Sequence, residues 1–96
     1  MKDERAATAA TSEPFEHIVA TDFDGGEGVL VDLNTKQYYQ LNETAMLIWR
    51  GLEAGRSVED IVSEMMEIYD IDSDHAAESV NKLIESLRGR KILKPQ

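Results

Sequence analysis

Apolar residues recur at every second position in the first half of the chain. The pattern holds from Val29 to Leu33, and it returns at Tyr39 and Leu41 after a polar turn. Alternation of this kind is typical of β-strands, and the turn between the two segments predicts a hairpin. A weaker apolar stretch comes before a glycine-rich turn and predicts one more strand. The predicted strands are Phe15–Phe23, Gly28–Asp32 and Gln37–Leu41.

The spacing changes to that of an α-helix after the hairpin, and it keeps this period to the end of the chain. Ala45, Ile48, Trp49 and Leu52 lie at i, i+3, i+4 and i+7, which is one helical face. Two more apolar stripes predict a second and a third helix; they consist of Val58, Ile61, Val62 and Met65, and of Ala76, Val80, Leu83, Ile84 and Leu87. Side chains suited to capping precede the three helices, namely Asn42, Ser57 and Asp72.

The order of these elements predicts an α+β domain in which a three-stranded antiparallel sheet is followed by three helices, a winged-helix-like arrangement. Residues 1–14 are small, polar or charged without a period, so we predict a disordered N-terminal segment there and a domain over residues 15–94. Ile92 and Leu93 are expected to pack back onto this domain as a short terminal strand.

Composition narrows the class of protein. The 96 residues contain no cysteine, and neither a signal peptide nor a membrane-spanning apolar run is apparent, so a cytoplasmic protein without a membrane partner is expected. The net charge of -9 argues against a nucleic-acid partner. Basic residues gather near the end, because residues 82–96 hold five of them and one acidic residue, whereas residues 1–81 hold five basic and 18 acidic residues.

No stretch of the chain carries a convincing catalytic or metal site. Asp70, Asp72 and Asp74 alternate as in a calcium loop, but His75 stands where that loop needs glycine and Asn81 where it needs glutamate. We therefore expect the acidic residues to serve a helix N-terminus. Isolated serines and histidines offer no nucleophile or ligand set, so no enzyme activity and no cofactor are predicted. Met46, Met65 and Met66 are interpreted as core residues.

A binding surface remains the best functional interpretation. If the last strand of the hairpin lies at the margin of the sheet, its backbone groups are free to pair with an extended peptide. The last helix can supply side chains beside this edge, because Ala77 and Ile84 widen its apolar face towards Asn81 and Arg88. The alternative that Ala77 and Ile84 simply complete the core stays open.

The hairpin and the helix after it resemble the PqqD family, small proteins of pyrroloquinoline quinone (PQQ) biosynthesis and related peptide-modifying pathways. The resemblance covers about residues 17–93. The segments that carry it are Leu30-Val31-Asp32-Leu33, Tyr38-Tyr39-Gln40-Leu41-Asn42-Glu43-Thr44-Ala45, Ile48-Trp49, Val58-Glu59-Asp60-Ile61 and Ile68-Tyr69-Asp70-Ile71-Asp72. Residues 1–14 are not part of the family pattern.

This resemblance implies a non-catalytic recognition element that binds the leader of a ribosomally made precursor peptide. In the family, the leader adds a strand between the third strand and the third helix, and it is presented to a modifying enzyme such as a radical S-adenosylmethionine (SAM) enzyme. On this chain the expected peptide-binding residues are Lys36, Gln37, Tyr38, Tyr39, Gln40 and Leu41 on the strand, and Val80, Asn81, Ile84, Leu87 and Arg88 on the helix. A winged-helix DNA-binding regulator is the alternative, which the acidic charge disfavours.

Overall fold

Three strands and then three helices follow one another in the computed structural model, which describes residues 13–94. The predicted α+β architecture is confirmed. The first strand is shorter than predicted, because Phe15 enters a turn in which its carbonyl accepts the Ile18 N–H at 3.2 Å. The elements are β1 (Ile18–Asp22), β2 (Gly28–Asp32), β3 (Gln37–Leu41), α1 (Glu43–Glu53), α2 (Val58–Ile68) and α3 (Ser73–Gly89).

The sheet is antiparallel with β2 in the centre, so β3 is an edge strand. Leu30 of β2 lies opposite Ala20 on one side and Tyr39 on the other, and it is fully buried. Side chains alternate between the two faces of a strand, so this row belongs to the face that packs on the core. The neighbouring row, with Val31 at its centre, points to the opposite face.

A buried carboxylate organises the turn between β2 and β3. Asp32 Oδ1 accepts the backbone N–H groups of Asn34 at 2.9 Å and Thr35 at 3.1 Å, and His17 Nε2 lies 3.6 Å away. Burial raises the pKa of Asp32, but the N–H groups of Thr35 and Asn34 and the nearby imidazole outweigh it, so the pKa lies below the ordinary 3.8. The turn ends at Lys36, whose φ is 65°. These bonds fix where β3 begins.

Each helix begins at the cap predicted from the sequence. The Asn42 side chain accepts the Ala45 N–H, and Ser57 accepts that of Asp60. Asp72 accepts the His75 N–H at 2.8 Å, so this carboxylate caps α3. Such caps satisfy N–H groups that have no partner within the helix.

The core lies between the inner face of the sheet and the three helices. Trp49 and Ile61 are fully buried, and the core residues are Ile18, Leu30, Leu41, Met46, Ile48, Trp49, Leu52, Ile61, Met65, Ala76, Val80, Ile84, Leu87, Ile92 and Leu93. The prediction that Met66 is a core residue is wrong, since 44% of its surface is exposed. It lies one position beyond Met65, on the outer side of α2.

The two ends of the described chain pair with each other. Pro14 and Leu93 form an isolated antiparallel bridge, while Phe15 N–H donates to the Ile92 carbonyl at 3.0 Å and Lys94 N–H donates to the Glu13 carbonyl at 2.8 Å. Ile92 and Leu93 are fully buried. Residues 13 and 14 thus contact the domain, and the rest of the segment predicted to be disordered, residues 1–12, lies outside the described residues. Within residues 13–94, no helix has the length and apolarity that crossing a bilayer requires.

Candidate functional site

Two cavities lie along one side of α3. One cavity of about 380 Å³ is lined by Asn42 and α1 on one side and by α3 on the other, including Ala45, Ile48 and Leu83. A second cavity of about 320 Å³ lies beside the start of β3 and is lined there by Gln37 and Tyr39, with Arg90 and Lys91 opposite. We call these two cavities together the groove, with an apolar end at Leu83 and a basic end at Arg90. β3 and α3 run in opposite directions along it.

The free edge of β3 exposes the backbone of Tyr38 and Gln40. Leu33 N–H donates to the His17 carbonyl at 3.0 Å, so the odd-numbered residues of β2 pair with β1 and the even-numbered ones with β3. The residues opposite the even positions, Gln37, Tyr39 and Leu41, therefore direct their main-chain groups at β2. Those of Tyr38 and Gln40 point away from the sheet, where a further strand can pair with them.

Tyr39 defines the basic end of the groove. Its hydroxyl donates to Gln37 Oε1 at 2.7 Å, and the Arg90 guanidinium lies over its ring at 5.2 Å from the ring centre. This cation–π contact holds the Arg90 side chain beside the strand. Behind it, Phe15 and His17 stack at 5.3 Å between ring centres and line the same cavity.

The predicted strand residues all lie at this edge, but they present different groups. The Tyr38 side chain is 74% exposed on the outer face, whereas the Leu41 side chain is buried in the core. Gln37 lines the basic end of the groove, and Gln40 is exposed. Lys36 belongs to the turn, and its N–H is already bonded to the Asp32 carbonyl at 2.7 Å. The groups that this strand offers at its free edge are therefore mainly those of its backbone.

The helix residues predicted to bind the peptide line neither cavity, and their role in binding stays a prediction. Val80, Ile84 and Leu87 are core residues with at most 5% of their surface exposed, and Asn81 is exposed but lines neither cavity. Arg88 Nε donates to the Lys94 carbonyl at 3.4 Å. The α3 side chains that do line the groove are Ser79, Lys82, Leu83 and Ser86.

This difference has a physical reason. The groove-lining side of α3 is mostly polar, so it produces no apolar periodicity of its own. The only apolar periodicity in this helix comes from the stripe that packs on the core. Ile84 therefore completes the core, which was the alternative left open by the sequence. Ser79, Lys82 and Ser86 lie on the side of α3 that contains the half-buried Leu83, because they are three or four positions from it or from one another.

The outer face of the sheet is a second exposed surface that sequence reasoning missed. Val19, Val31 and Tyr38 lie directly opposite one another across the strands, with Val19 44% exposed. Leu33, at the end of β2, is also exposed. The alternation from Val29 to Leu33 was the available signal, but these residues belong to the outer face. Of the apolar side chains of β2, only Leu30 is buried in the core.

The acidic and histidine side chains do not gather into a metal site in the part of the chain that the structure describes. Of the three aspartates that alternate as in a calcium loop, Asp72 contacts both the backbone N–H and the ring Nδ1 of His75, the latter at 3.0 Å. The pKa of Asp72 is lowered, chiefly by the His75 N–H.

Two solved structures share this fold closely. One, described as TbiB1 in complex with the TbiA(beta) leader peptide, has a TM-score of 0.81 and 25% identity, and the match covers 88% of this chain and 96% of that one. The other, a lasso peptide synthetase B1 complexed with the leader peptide, also has a TM-score of 0.81, with 28% identity over 90% of this chain and 100% of that one. Comparison with curated proteins gave no significant match.

The family model for coenzyme PQQ synthesis protein D (PqqD) matches residues 27–93. This span begins just before β2 and ends at Leu93, so it includes the edge strand, all three helices and most of the residues that line the groove. With the fold and the edge geometry in agreement, the chain belongs to the PqqD family.

Proposed function

We propose that this protein is a non-catalytic recognition element that binds the leader of a ribosomally made precursor peptide as a fourth strand on β3. The observation that carries the proposal is the outward main chain of Tyr38 and Gln40, next to the groove that the two cavities form. Strand addition draws affinity from main-chain hydrogen bonds, and the groove then selects among side chains. The two structures of similar fold, both complexed with leader peptides, support a leader peptide as the ligand.

We further propose that the bound leader is handed to a peptide-modifying enzyme in the cytoplasm, where ribosomal products first appear. A radical SAM enzyme is the partner that PQQ biosynthesis suggests. The outer face of the sheet is the surface that we assign to this partner, because it is apolar at Val19, Val31 and Tyr38 and continuous with β3. A leader added to β3 would extend that face by one strand, so the enzyme would meet protein and substrate together.

The strand model is tested by removing one outward donor. Gln40→Pro eliminates the N–H that points to the incoming peptide, and proline is tolerated on the free side of an edge strand. Titration with the leader of a short precursor encoded beside the gene should show binding weakened by about tenfold, the effect of losing one hydrogen bond and introducing a ring at the contact. In the wild type, the Tyr38 and Gln40 amide signals should shift most.

Ala20→Pro is the matched control, because the Ala20 main chain points outward at the opposite edge of the sheet, on β1. It makes the same chemical change away from the groove and should leave leader affinity within about twofold of wild type. Equal weakening by both substitutions, or unchanged binding by a folded Gln40→Pro variant, would contradict strand addition at β3.

A further inference from the structure

The groove holds cations that have no carboxylate partner among the residues that the structure describes. Lys82 lines the apolar end, and Arg90 and Lys91 line the basic end. Among residues 13–94, none of these three has a carboxylate within 4.0 Å. The single acidic residue lining the groove is Asp32, whose carboxylate is buried and bound by the turn amides and His17. The groove therefore presents positive charge to whatever enters it.

Two arginines away from the groove are paired with carboxylates of the protein. Arg50 pairs with Asp22 and Glu53, and Arg56 pairs with Glu64. Both arginines line a cavity of about 440 Å³ between α1 and α2, where their charges are matched within the protein. In a chain of net charge -9, cations left unpaired beside the proposed binding edge point to a ligand that carries the missing carboxylates.

The spacing of the cations limits where those carboxylates lie. Lys82 and Arg90 are eight positions apart along α3 and its cap, or about 12 Å at the rise of a helix. An extended peptide covers the same distance in about four residues at roughly 3.3 Å per residue. Residues at i and i+4 of a strand lie on the same side, so both can face α3. The position midway between them would face the same wall, near Ser86.

We propose that the peptide accepted by this groove is acidic on the side facing α3, with two carboxylates four residues apart, one beside Lys82 and one beside Arg90 and Lys91. This inference rests on the proposed function and adds the class of leader to it. The attraction is local, because acidic groups of the protein that lie farther from the bound peptide than the Debye length, about 10 Å at 0.1 M salt, are largely screened.

The test uses three synthetic peptides with fluorescent labels and the core X-Thr-Leu-Thr-X between Gly-Ser-Thr flanks, where X is Glu, Gln or Lys. Binding is measured by anisotropy at about 0.1 M and about 1 M salt, which differ in Debye length from about 10 Å to 3 Å. The Glu peptide should bind about three- to tenfold more tightly than the Gln peptide at the lower salt, as expected for two partly exposed ion pairs, and the Lys peptide most weakly. The preference should largely vanish at the higher salt.

A double variant, Lys82→Gln with Arg90→Gln, should lose the preference for Glu and still bind the Gln peptide. Arg50→Gln with Arg56→Gln is the matched control, since it changes the net charge equally but removes cations that are already paired. It should keep the preference. A preference that survives in the groove variant, or falls equally in both variants, would overturn the inference.

Amide shifts of Tyr38 and Gln40 separate this inference from the proposed function. If the Glu and Gln peptides shift these amides with equal affinity, strand addition stands and the charge selection is refuted. If no peptide shifts them at millimolar concentration, the edge does not accept extended peptides, and the proposed function fails together with the inference.

Discussion

At the scale of single residues, Asp32 links the sheet to the groove. Its carboxylate is nearly inaccessible, yet it remains charged because two turn amides and His17 surround it. The same turn sets the start of β3, and Asp32 lines the basic end of the groove. Protonating or deleting this side chain should therefore disturb both stability and the position of the binding edge.

The stability of the fold should depend on pH through the Asp32 carboxylate. The pKa of Asp32 is lowered in the folded state, so its stabilisation is present above the ordinary pKa of 3.8 and is lost as the pH falls through the lowered value. Asp32→Ala should reduce the melting temperature at neutral pH. The difference from wild type should shrink as the pH is lowered towards about 2.

Asp32→Asn is the informative control, because its side-chain oxygen still accepts the turn N–H groups but carries no charge. Its melting temperature at neutral pH should lie between those of the wild type and Asp32→Ala. Thermal unfolding followed by circular dichroism over this pH range measures all three proteins. A constant difference between wild type and Asp32→Ala at every pH would mean that the carboxylate charge contributes nothing.

At the scale of elements, the contact between α1 and α2 depends on a missing side chain. A Cβ atom on Gly51 would lie 2.6 Å from Ile61 Cγ1 and 2.8 Å from Ile61 Cδ1. Ile61 is fully buried, so it has little room to move. Gly51 thus allows the two helices to approach each other at the last turn of α1, although glycine within a helix is otherwise unfavourable.

Gly51→Ala should therefore destabilise the protein although alanine is the better helix former. The helical gain of up to about 1 kcal/mol should be outweighed by overpacking against Ile61, for a net loss of about 1–2 kcal/mol. Gly89→Ala is the control, since a Cβ there has no heavy atom within 4 Å. It should be neutral or slightly stabilising in urea unfolding. A stabilised Gly51→Ala variant would show that α2 can shift without cost.

Elements were more predictable from the sequence than the surfaces they form. Strand and helix bounds follow from period and caps, as at Asn42, Ser57 and Asp72, because these are local properties of the chain. The side of α3 that borders the groove was not predictable, because burial of Ile84 depends on which elements pack against it. The outward amide of Gln40 likewise depends on strand register, which only the pairing with β2 defines.

At the scale of the whole molecule, the protein presents two surfaces that share one strand. The groove lies on the helical side of β3, and the apolar face with Val31 at its centre lies on the other side. Three strands of five residues cover about 240 Å² at ordinary sheet spacings, well below the roughly 800 Å² per partner of a stable interface. The face alone is too small for a lasting complex, so added area from a bound leader would favour docking of the loaded protein.

Val31→Lys should separate the two surfaces. A charge in the centre of the apolar face should leave leader affinity within about twofold of wild type but slow peptide modification by about tenfold or more, because an unpaired charge would be buried at the enzyme contact. Ile68→Lys is the control, since it adds the same charge at an exposed apolar residue of α2. Rates with the enzyme encoded beside the precursor measure the effect. Equal rates for both variants would remove the sheet face from the proposal.

The pairing of the two ends near Pro14 and Leu93 has a consequence for gene architecture. A domain whose entry and exit points are neighbours can be spliced onto another protein, at either terminus or within a loop, without rearranging its interior. Phe15 and Arg90 line the same cavity, so such a fusion would emerge next to the basic end of the groove. A tethered enzyme would then be held within reach of a captured peptide, at a local concentration set by the linker rather than by its abundance in the cell.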